Sequence, residues 1–346
     1  MATYGYGYPR AGLVWGAASG GVEKLTVKAT DTKAGREMNE RILVAGEALI
    51  DSIAAAGQAP REVVGGSLFN VAGGLARLGV PTDFATWFGK DARGQQIAAH
   101  ARKLGVRIVP GSAQATATSV AHARLDADGK ASYTFEVESD IPTLENLGDI
   151  GHVHIGSYSA VVSPSGEKIA ALAAAQARRA TISYDPNCRP DLMGDPDAAR
   201  KKIMALVELA DIVKVSDEDL HWLYPGLALS EILAQWAQIS IPLLVVTRGA
   251  EPALVSVRGK TPFHALASRK VPVGDTVGAG DSFMAGLLTG LYRDRFIAAG
   301  AARERLRQTS FADFGVALQI AQTCAAITVS ANGAYAPTRA EVAAAF

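Results

Sequence analysis

Cysteine is scarce: only Cys188 and Cys324 occur in 346 residues. Two isolated thiols make neither a disulfide framework nor a cysteine metal knuckle, and they fit a reducing, cytoplasmic setting. Net charge is missing too, because 34 Lys plus Arg balance 34 Asp plus Glu. No global field draws the chain to nucleic acid or an anionic membrane, so an anionic ligand must be held by a local site. The sequence has no unbroken apolar run of about 18 residues, the length of a membrane span. It shows no charged start leading into a compact apolar run either, which argues against a secretory signal. Neither Gly-x-x-x-x-Gly-Lys-Ser/Thr nor Gly-x-Gly-x-x-Gly is present, which removes two large nucleotide-binding classes.

What is there is an ordinary globular mixture, 49% hydrophobic and 20% charged, enough to bury a sizeable core. Residues 1–40 differ from the rest: rich in Gly, Ala and Tyr without helical or strand period, they read as a disordered or loosely attached extension. From Arg41 onward short apolar strands alternate with Ala/Leu-rich helices. ILVAGEAL, DFATWFG, VHIGS, ATISYDP, IVKVS and LLVVTRG read as strands. SLFNVAGGLARLG, GQQIAAHARKLG, SGEKIAALAAAQARRA, PDAARKKIMALVELA and LSEILAQWAQIS read as helices, the first two closed by Gly79 and Gly105. That rhythm predicts βαβ units, an α/β fold with a mostly parallel sheet covered by helices on both faces, and ligands at the strands' C-terminal edge. Two segments lack helices of their own: about residues 51–66 and 115–138. The second alternates around the turn Asp126-Ala127-Asp128-Gly129 and reads as a hairpin. Together they predict a small β lid that shields the sheet edge from water. On that hairpin Val120, His122 and Arg124 share a face by alternation, which leaves His122 open as a ligand contact, a packing residue or a solvent-facing one. Cys324 lies on the apolar helix ALQIAQTCAAITVS and is expected in the core.

The strongest chemical signal is Asp275-Thr276-Val277-Gly278-Ala279-Gly280-Asp281, followed by the helix SFMAGLLTGLY. Small residues before a helix start leave backbone N–H groups free, and the helix dipole adds positive potential. Such a site suits the charge developing on a transferring phosphoryl group. Asp281, in the first turn, can accept a hydroxyl proton; complementing the dipole is its plain structural alternative. A second signal is Gly46-Glu47-Ala48-Leu49-Ile50-Asp51, followed by Gly65-Gly66-Ser67-Leu68-Phe69-Asn70. Asp51 lies past a strand end, Gly65 and Gly66 let a ligand approach the backbone, and Asn70 opens a helix. An Asp and an Asn together can clamp adjacent hydroxyls. Turn, hinge and capping roles are the alternatives.

The seven-residue motif resembles the C-terminal signature of the ribokinase-like sugar kinases, also called the phosphofructokinase B family, and the resemblance extends over residues 41–340 as one kinase domain. It implies a ribokinase-like fold with a β lid, ATP with Mg2+ as donor, and a small sugar as acceptor. It implies that Asp281 is the catalytic base and that the Gly278, Ala279 and Gly280 backbone forms the anion hole. Asp275 and the carbonyl of Val277 would help to bind a monovalent cation such as K+. Asp51, Gly65, Gly66 and Asn70 would hold the sugar. Asp185-Pro186-Asn187-Cys188-Arg189 is similar to the fructokinase-like branch, with Asn187 and Arg189 near the phosphates. So are Gly156-Ser157 and Ala334-Tyr335-Ala336-Pro337-Thr338. Thr247 and Gly249 would contact nucleotide, Asn332-Gly333 would border adenine, and Phe88-Gly89-Lys90-Asp91-Ala92-Arg93-Gly94 resembles a structural loop. Family lids often pair, which leaves a homodimer through the lid open.

Departures from the pattern narrow these expectations. Where much of the family has Asn-x-x-Glu near metal-bound phosphates, this chain has Ser216-Asp217-Glu218-Asp219, so Ser216 and Asp219 fill those places. Pro252 replaces a customary Gly. The lid lacks an Arg that fructokinases often carry and has Phe135-Glu136-Val137-Glu138-Ser139-Asp140 instead, which disfavours an anionic sugar and, less strongly, fructose, which carries no charge to lose. The expected activity is phosphorylation of a neutral sugar, with fructose first. 2-keto-3-deoxygluconate, ribose or a nucleoside are the alternative acceptors. An inactive sensor on the same fold and a Rossmann dehydrogenase are the rivals from other classes.

Overall fold

The computed structural model of the chain describes residues 41–54, 59–125, 131–144, 148 and 150–345. The expected extension 1–40, part of the first lid segment and the turn Asp126–Gly129 lie outside the described residues. Among the described residues thirteen strands are formed: β1 Arg41–Ala45, β2 Leu49–Ala54, β3 Arg61–Gly65, β4 Thr82–Ala85, β5 Arg107–Ile108, β6 Val120–Leu125, β7 Ala131–Glu136, β8 Ile150–Gly156, β9 Thr181–Asp185, β10 Ile212–Ser216, β11 Leu243–Arg248, β12 Glu251–Ser256 and β13 His264–Leu266. Nine of them make one sheet, in the order β13-β12-β11-β10-β9-β8-β1-β4-β5. It is parallel from β5 through β11, and β12 and β13 add an antiparallel edge. The remaining four, β3-β2-β6-β7, form the separate lid sheet.

Alternation along the strands divides the core between the two faces of the large sheet. Ile42, Val44, Ile212, Leu243 and Val245 pack toward the helices Ser67–Arg77, Ala279–Arg293 and Gly315–Val329. Leu43, Ala45, Val213, Val215, Leu244 and Val246 pack toward Ser165–Gln176, Pro196–Leu209 and Leu229–Ala237. Trp236 is among the largest fully buried side chains there; burying an aliphatic or Phe side chain of that kind is worth about 1.5–3 kcal/mol before entropy.

The run ILVAGEAL is not one strand. It breaks at Gly46, whose φ of 155° carries the chain out of the large sheet. A side chain at Gly46 would strike Leu68 Cγ at 2.5 Å. β1 therefore ends in the main sheet and β2 begins the lid. An apolar run alone cannot show where a chain changes sheets.

The helix Ala279–Arg293 is held by close approach of small residues. A methyl on Gly74 would meet Ala285 Cβ at 2.6 Å, and one on Gly286 would meet Ala321 Cα at 2.8 Å. Gly290 faces Ala317 more closely still. Two neighbouring helices thus grip it, and its first turn has a fixed address at the C-terminal edge of the sheet. Among the described residues one helical stretch, Phe311–Val329, is long and apolar enough to cross a membrane by length and composition. Its Ala317, Leu318, Ala321 and Cys324 are buried, so it reads as a core helix.

Candidate active site

The first turn of Ala279–Arg293 meets the first turn of Ser67–Arg77. Gly278 precedes the helix at φ 75°, a conformation that favours glycine. The Ser282 amide starts the helical ladder on Gly278 O at 2.8 Å, and the Ala279 amide turns back to Thr276 O at 3.2 Å. Amides at such a turn precede the regular ladder and are available to an anion. Asp281 is 7% exposed. Its Oδ1 accepts from Ser67 Oγ at 2.7 Å and, at the long limit of 3.5 Å, from Asn187 Nδ2. Its Oδ2 accepts from Asn70 Nδ2 at 2.9 Å. Asn70 does not open the helix, which starts at Ser67; it lies one turn inside, and that places its amide against Asp281.

Asp51 stands on β2 with its carboxylate against Gly65, at the place where a side chain on Gly65 would go. Gly66 has φ 107° and no room for a Cβ, because Glu47 O would be 2.8 Å away. Burial pushes the Asp51 carboxyl up to about 6, against the downward pull of Arg189. Burial also raises Glu47 above its ordinary range, although the Ser159 hydroxyl lowers it. Glu47 accepts from Ser159 Oγ at 2.6 Å and from the Ser67 amide at 3.2 Å, tying the lid entrance to the helix that carries Ser67 and Asn70. Arg189, expected near phosphates, influences both Asp51 and Glu47 and donates to Asn187 Oδ1 at 2.7 Å.

Asp219 is also 7% exposed, but its oxygens belong to the main chain. Oδ1 accepts from the Cys188 amide at 2.7 Å and Oδ2 from the Ser216 amide at 3.0 Å. The Ser216 hydroxyl returns the bond to the Asp219 amide, completing a capping box. Ser216 is the register partner of Thr247, so both sit at the sheet edge, with Gly249 following at φ 53°.

Asp275 joins two loops: it accepts from the Val277 amide at 3.0 Å and from the Gly333 amide at 3.0 Å. The Gly274 amide donates to Val329 O at 2.8 Å. A methyl on Gly274 would lie 2.8 Å from Ala331 O. One carboxylate among backbone carbonyls is a donor set suited to a cation with oxygen ligands. Beside these loops lies a cavity of about 650 Å3, lined by Arg269, Lys270, Thr323, Ile327, Ser330, Ala331 and Tyr335 among others. Asn332 is exposed, and its neighbours rather than its own side chain border that cavity.

Four residues escaped the sequence reading. Ser67 contacts Asp281 directly; it stood in view as the hydroxyl residue after Gly65-Gly66. Lys214 is buried, pairs with Asp185 Oδ2 at 2.9 Å, and lies 3.1 Å from a methyl placed on Gly280. Burial pulls its pKa down, but Asp185, Asp219 and Asp281 more than offset that, so the ammonium keeps its proton. Burial pushes Asp185 up to about 7 despite Lys214. A lysine between valines in IVKVS, on the face shared with Ile212, was the available signal. The same face carries His152 and His154, which share the Ser183 hydroxyl at 2.8 and 2.9 Å. Both are neutral: burial lowers them, His154 to about 3.

In the lid, Asp51 pairs in register with Ala121 and Ser52 with His122. His122 therefore lies on the face opposite Asp51, 3.4 Å from Glu136. Glu138 accepts from Trp87 Nε1 at 2.8 Å and from the Thr116 amide at 2.9 Å, and Asp140 pairs with Lys168 at 2.6 Å. The Phe88–Gly94 loop is a structural knot: Asp91 caps its helix at the Gly94 amide, 2.8 Å, and holds Thr118.

Comparisons with known proteins show the family. The family model for the pfkB family carbohydrate kinases matches residues 38–341. A fructokinase of Rhizobium leguminosarum bv. trifolii is 35% identical over 269 residues, covering 74% of this chain and 81% of the relative. A fructokinase double mutant of Vibrio cholerae O395, solved with fructose, ADP and potassium, superposes with a TM-score of 0.72 at 28% identity, covering 89% of this chain and 98% of that one. A Xylella fastidiosa fructokinase solved with ATP gives a TM-score of 0.73 at 25% identity, covering 88% and 97%.

Proposed function

The chain belongs to the pfkB family of carbohydrate kinases and is a phosphotransferase acting on a sugar hydroxyl; from that premise we propose that it moves the γ-phosphate of ATP to a primary hydroxyl of fructose, giving fructose 6-phosphate and ADP. The observation that carries this reading is the buried Asp281 at the start of Ala279–Arg293, with sugar-type hydrogen-bonding groups on one side and helix amides on the other.

Asp51, Gly65, Gly66 and Asn70 hold the sugar, with the Asp51 carboxylate and the Asn70 amide taking adjacent hydroxyls. Asp281 accepts the proton of the attacking hydroxyl. Phosphoryl transfer has a loose transition state, so positioning matters more than base strength. The amides of Gly278 and Gly280, with the buried Lys214 ammonium beneath, face the charge that develops on the transferred group. The Ala279 amide joins them by releasing its bond to Thr276.

The nucleotide base fits the 650 Å3 cavity beside the Asp275–Val277 loop. K+ fits the Asp275 carboxylate and nearby carbonyls, supported by the potassium in the Vibrio relative. Magnesium carried in with ATP neutralises charge on the β- and γ-phosphates. Because the Asp219 oxygens hold two backbone amides, a contact from that segment to the metal runs through water. The absence of an Arg after the second lid strand disfavours a carboxylate-bearing sugar, and the names of the relatives favour fructose. Two buried, unpaired thiols suit a cytoplasmic enzyme. A homodimer through the lid belongs to the same reading, and equilibrium sedimentation decides it.

The test is ADP release from ATP-Mg with potassium across neutral sugars, acidic sugars and nucleosides. The expected result is the highest kcat/KM on fructose. A preference for another acceptor overturns the substrate, and turnover on none overturns the kinase reading for this panel.

A further inference from the structure

The donors that reach Asp281 form a chain with one direction. Arg189 Nη1 donates to Asn187 Oδ1 at 2.7 Å, and also to the carbonyls of Asn187 at 3.0 Å and Cys188 at 2.9 Å. A guanidinium has donors only, so it sets the orientation of the Asn187 amide: Oδ1 faces Arg189 and Nδ2 faces away. The Asn187 backbone is held at φ 37°, a left-handed conformation that asparagine tolerates. Asn187 Nδ2 then donates to Ser67 Oγ at 2.7 Å. With its oxygen accepting there, the single Ser67 proton points at Asp281 Oδ1, 2.7 Å away. An ionised carboxylate only accepts, so the bond has one polarity.

We propose that Ser67 is a positioning residue in a directional relay, Arg189 to Asn187 to Ser67 to Asp281, which links a guanidinium to the catalytic carboxylate. The relay fixes Oδ1 and leaves Oδ2, shared with Asn70 alone, as the oxygen that meets the sugar hydroxyl. It assigns Asn187 and Arg189 a role in setting the base, beyond any phosphate contact. Hydrogen bonds in such chains polarise one another, and a bond to the ionised form favours that form. The inference rests on Asp281 being the base.

Other charged groups surround Asp281: Lys214 from β10, Asp185 from β9 and Asp219 from the helix Asp217–Leu223. On the sugar side stand Asp51 and Glu47. None of them is altered in the variants below; Arg189→Met does remove a charge that lowers Asp51 and Glu47, and it does so equally in both Ser67 backgrounds.

The experiment measures kcat and KM for wild type, Ser67→Ala, Ser67→Thr, Arg189→Met and the Ser67→Ala/Arg189→Met double variant, with Asp281→Asn as control. Ser67→Ala is expected to lower kcat about tenfold, the kinetic weight of one charge-assisted hydrogen bond, and to leave the sugar KM within about twofold. Ser67→Thr restores kcat. Arg189→Met lowers kcat further in the wild-type background than in Ser67→Ala, whereas any direct effect on KM persists in both backgrounds. A wild-type kcat in Ser67→Ala overturns the relay, and so does an equal Arg189→Met loss of kcat in both backgrounds. If Asp281→Asn keeps normal turnover, the base assignment itself fails, which is a separate outcome from failure of the relay alone.

Discussion

Asp219 and Asp281 are matched in sequence setting and burial. Each is the third residue of a helix, each is 7% exposed, and each acts on the buried Lys214 ammonium. They differ in what their oxygens hold. Asp219 takes main-chain amides from two separate segments, Cys188 and Ser216, and so ties the end of β9 to the end of β10. Asp281 takes side-chain donors from Ser67, Asn70 and Asn187, which can shift when a hydroxyl arrives. On the proposed function, position and burial do not separate the structural carboxylate from the reacting one; the kind of donor, main-chain or side-chain, does.

The shared lysine offers the largest perturbation. Lys214→Met leaves Asp185, Asp219 and Asp281 around a site without its counter-charge. Breaking such a buried pair is expected to lower unfolding stability by about 3–5 kcal/mol, read from denaturant curves. A loss below about 1 kcal/mol would show that the two carboxylates are not joined through this cation.

Gly65→Ala carries the comparison to Asp51, the third carboxylate of the site. The added methyl takes the place of the Asp51 carboxylate, a mobile group, so the side chain moves and the fold remains. The sugar KM should rise about tenfold or more with kcat changed far less, the pattern of lost ground-state binding. An unchanged KM would remove Asp51 from the sugar site.

Asp51 itself sets the smaller effect on stability. Burial raises it to about 6, so the folded state binds a proton there between the ordinary carboxyl range and pH 6. Its contribution to stability therefore grows as pH falls through 6 and is unfavourable above it. Asp51→Asn should stabilise the fold at pH 7 by about 1–3 kcal/mol while abolishing sugar affinity. In wild type, kcat/KM for the sugar should fall below about pH 6 as Asp51 takes its proton. If that limb persists in Asp51→Asn, another group is responsible.

Much of this was readable from local chemistry. The glycine-rich turn before Asp281, the alternation of strands and helices, and the helix-free lid segments are each written in consecutive residues. What escaped depends on tertiary partners. Gly46 splits one apolar run between two sheets because Leu68, far along the chain, occupies the space beside it. Ser67 and Lys214 acquire their roles only when the helix Ala279–Arg293 docks over them. Arg189, expected near phosphates, also holds Asn187 Oδ1, a contact that spacing alone does not show. The two amides that Asp219 accepts, from Cys188 and Ser216, cannot be seen in the sequence either.

The most direct measurement compares Asp281→Asn with Asp219→Asn in one ADP-release assay with fructose, each rate scaled to the folded fraction from a thermal melt. Asp281→Asn is expected to melt like wild type and lose turnover by about 10²–10⁴, the weight of general base catalysis. Asp219→Asn is expected to lose about 1–3 kcal/mol of stability and keep turnover within severalfold. Near-normal turnover in Asp281→Asn, or an equal collapse of turnover in a folded Asp219→Asn, would contradict the division between the two carboxylates.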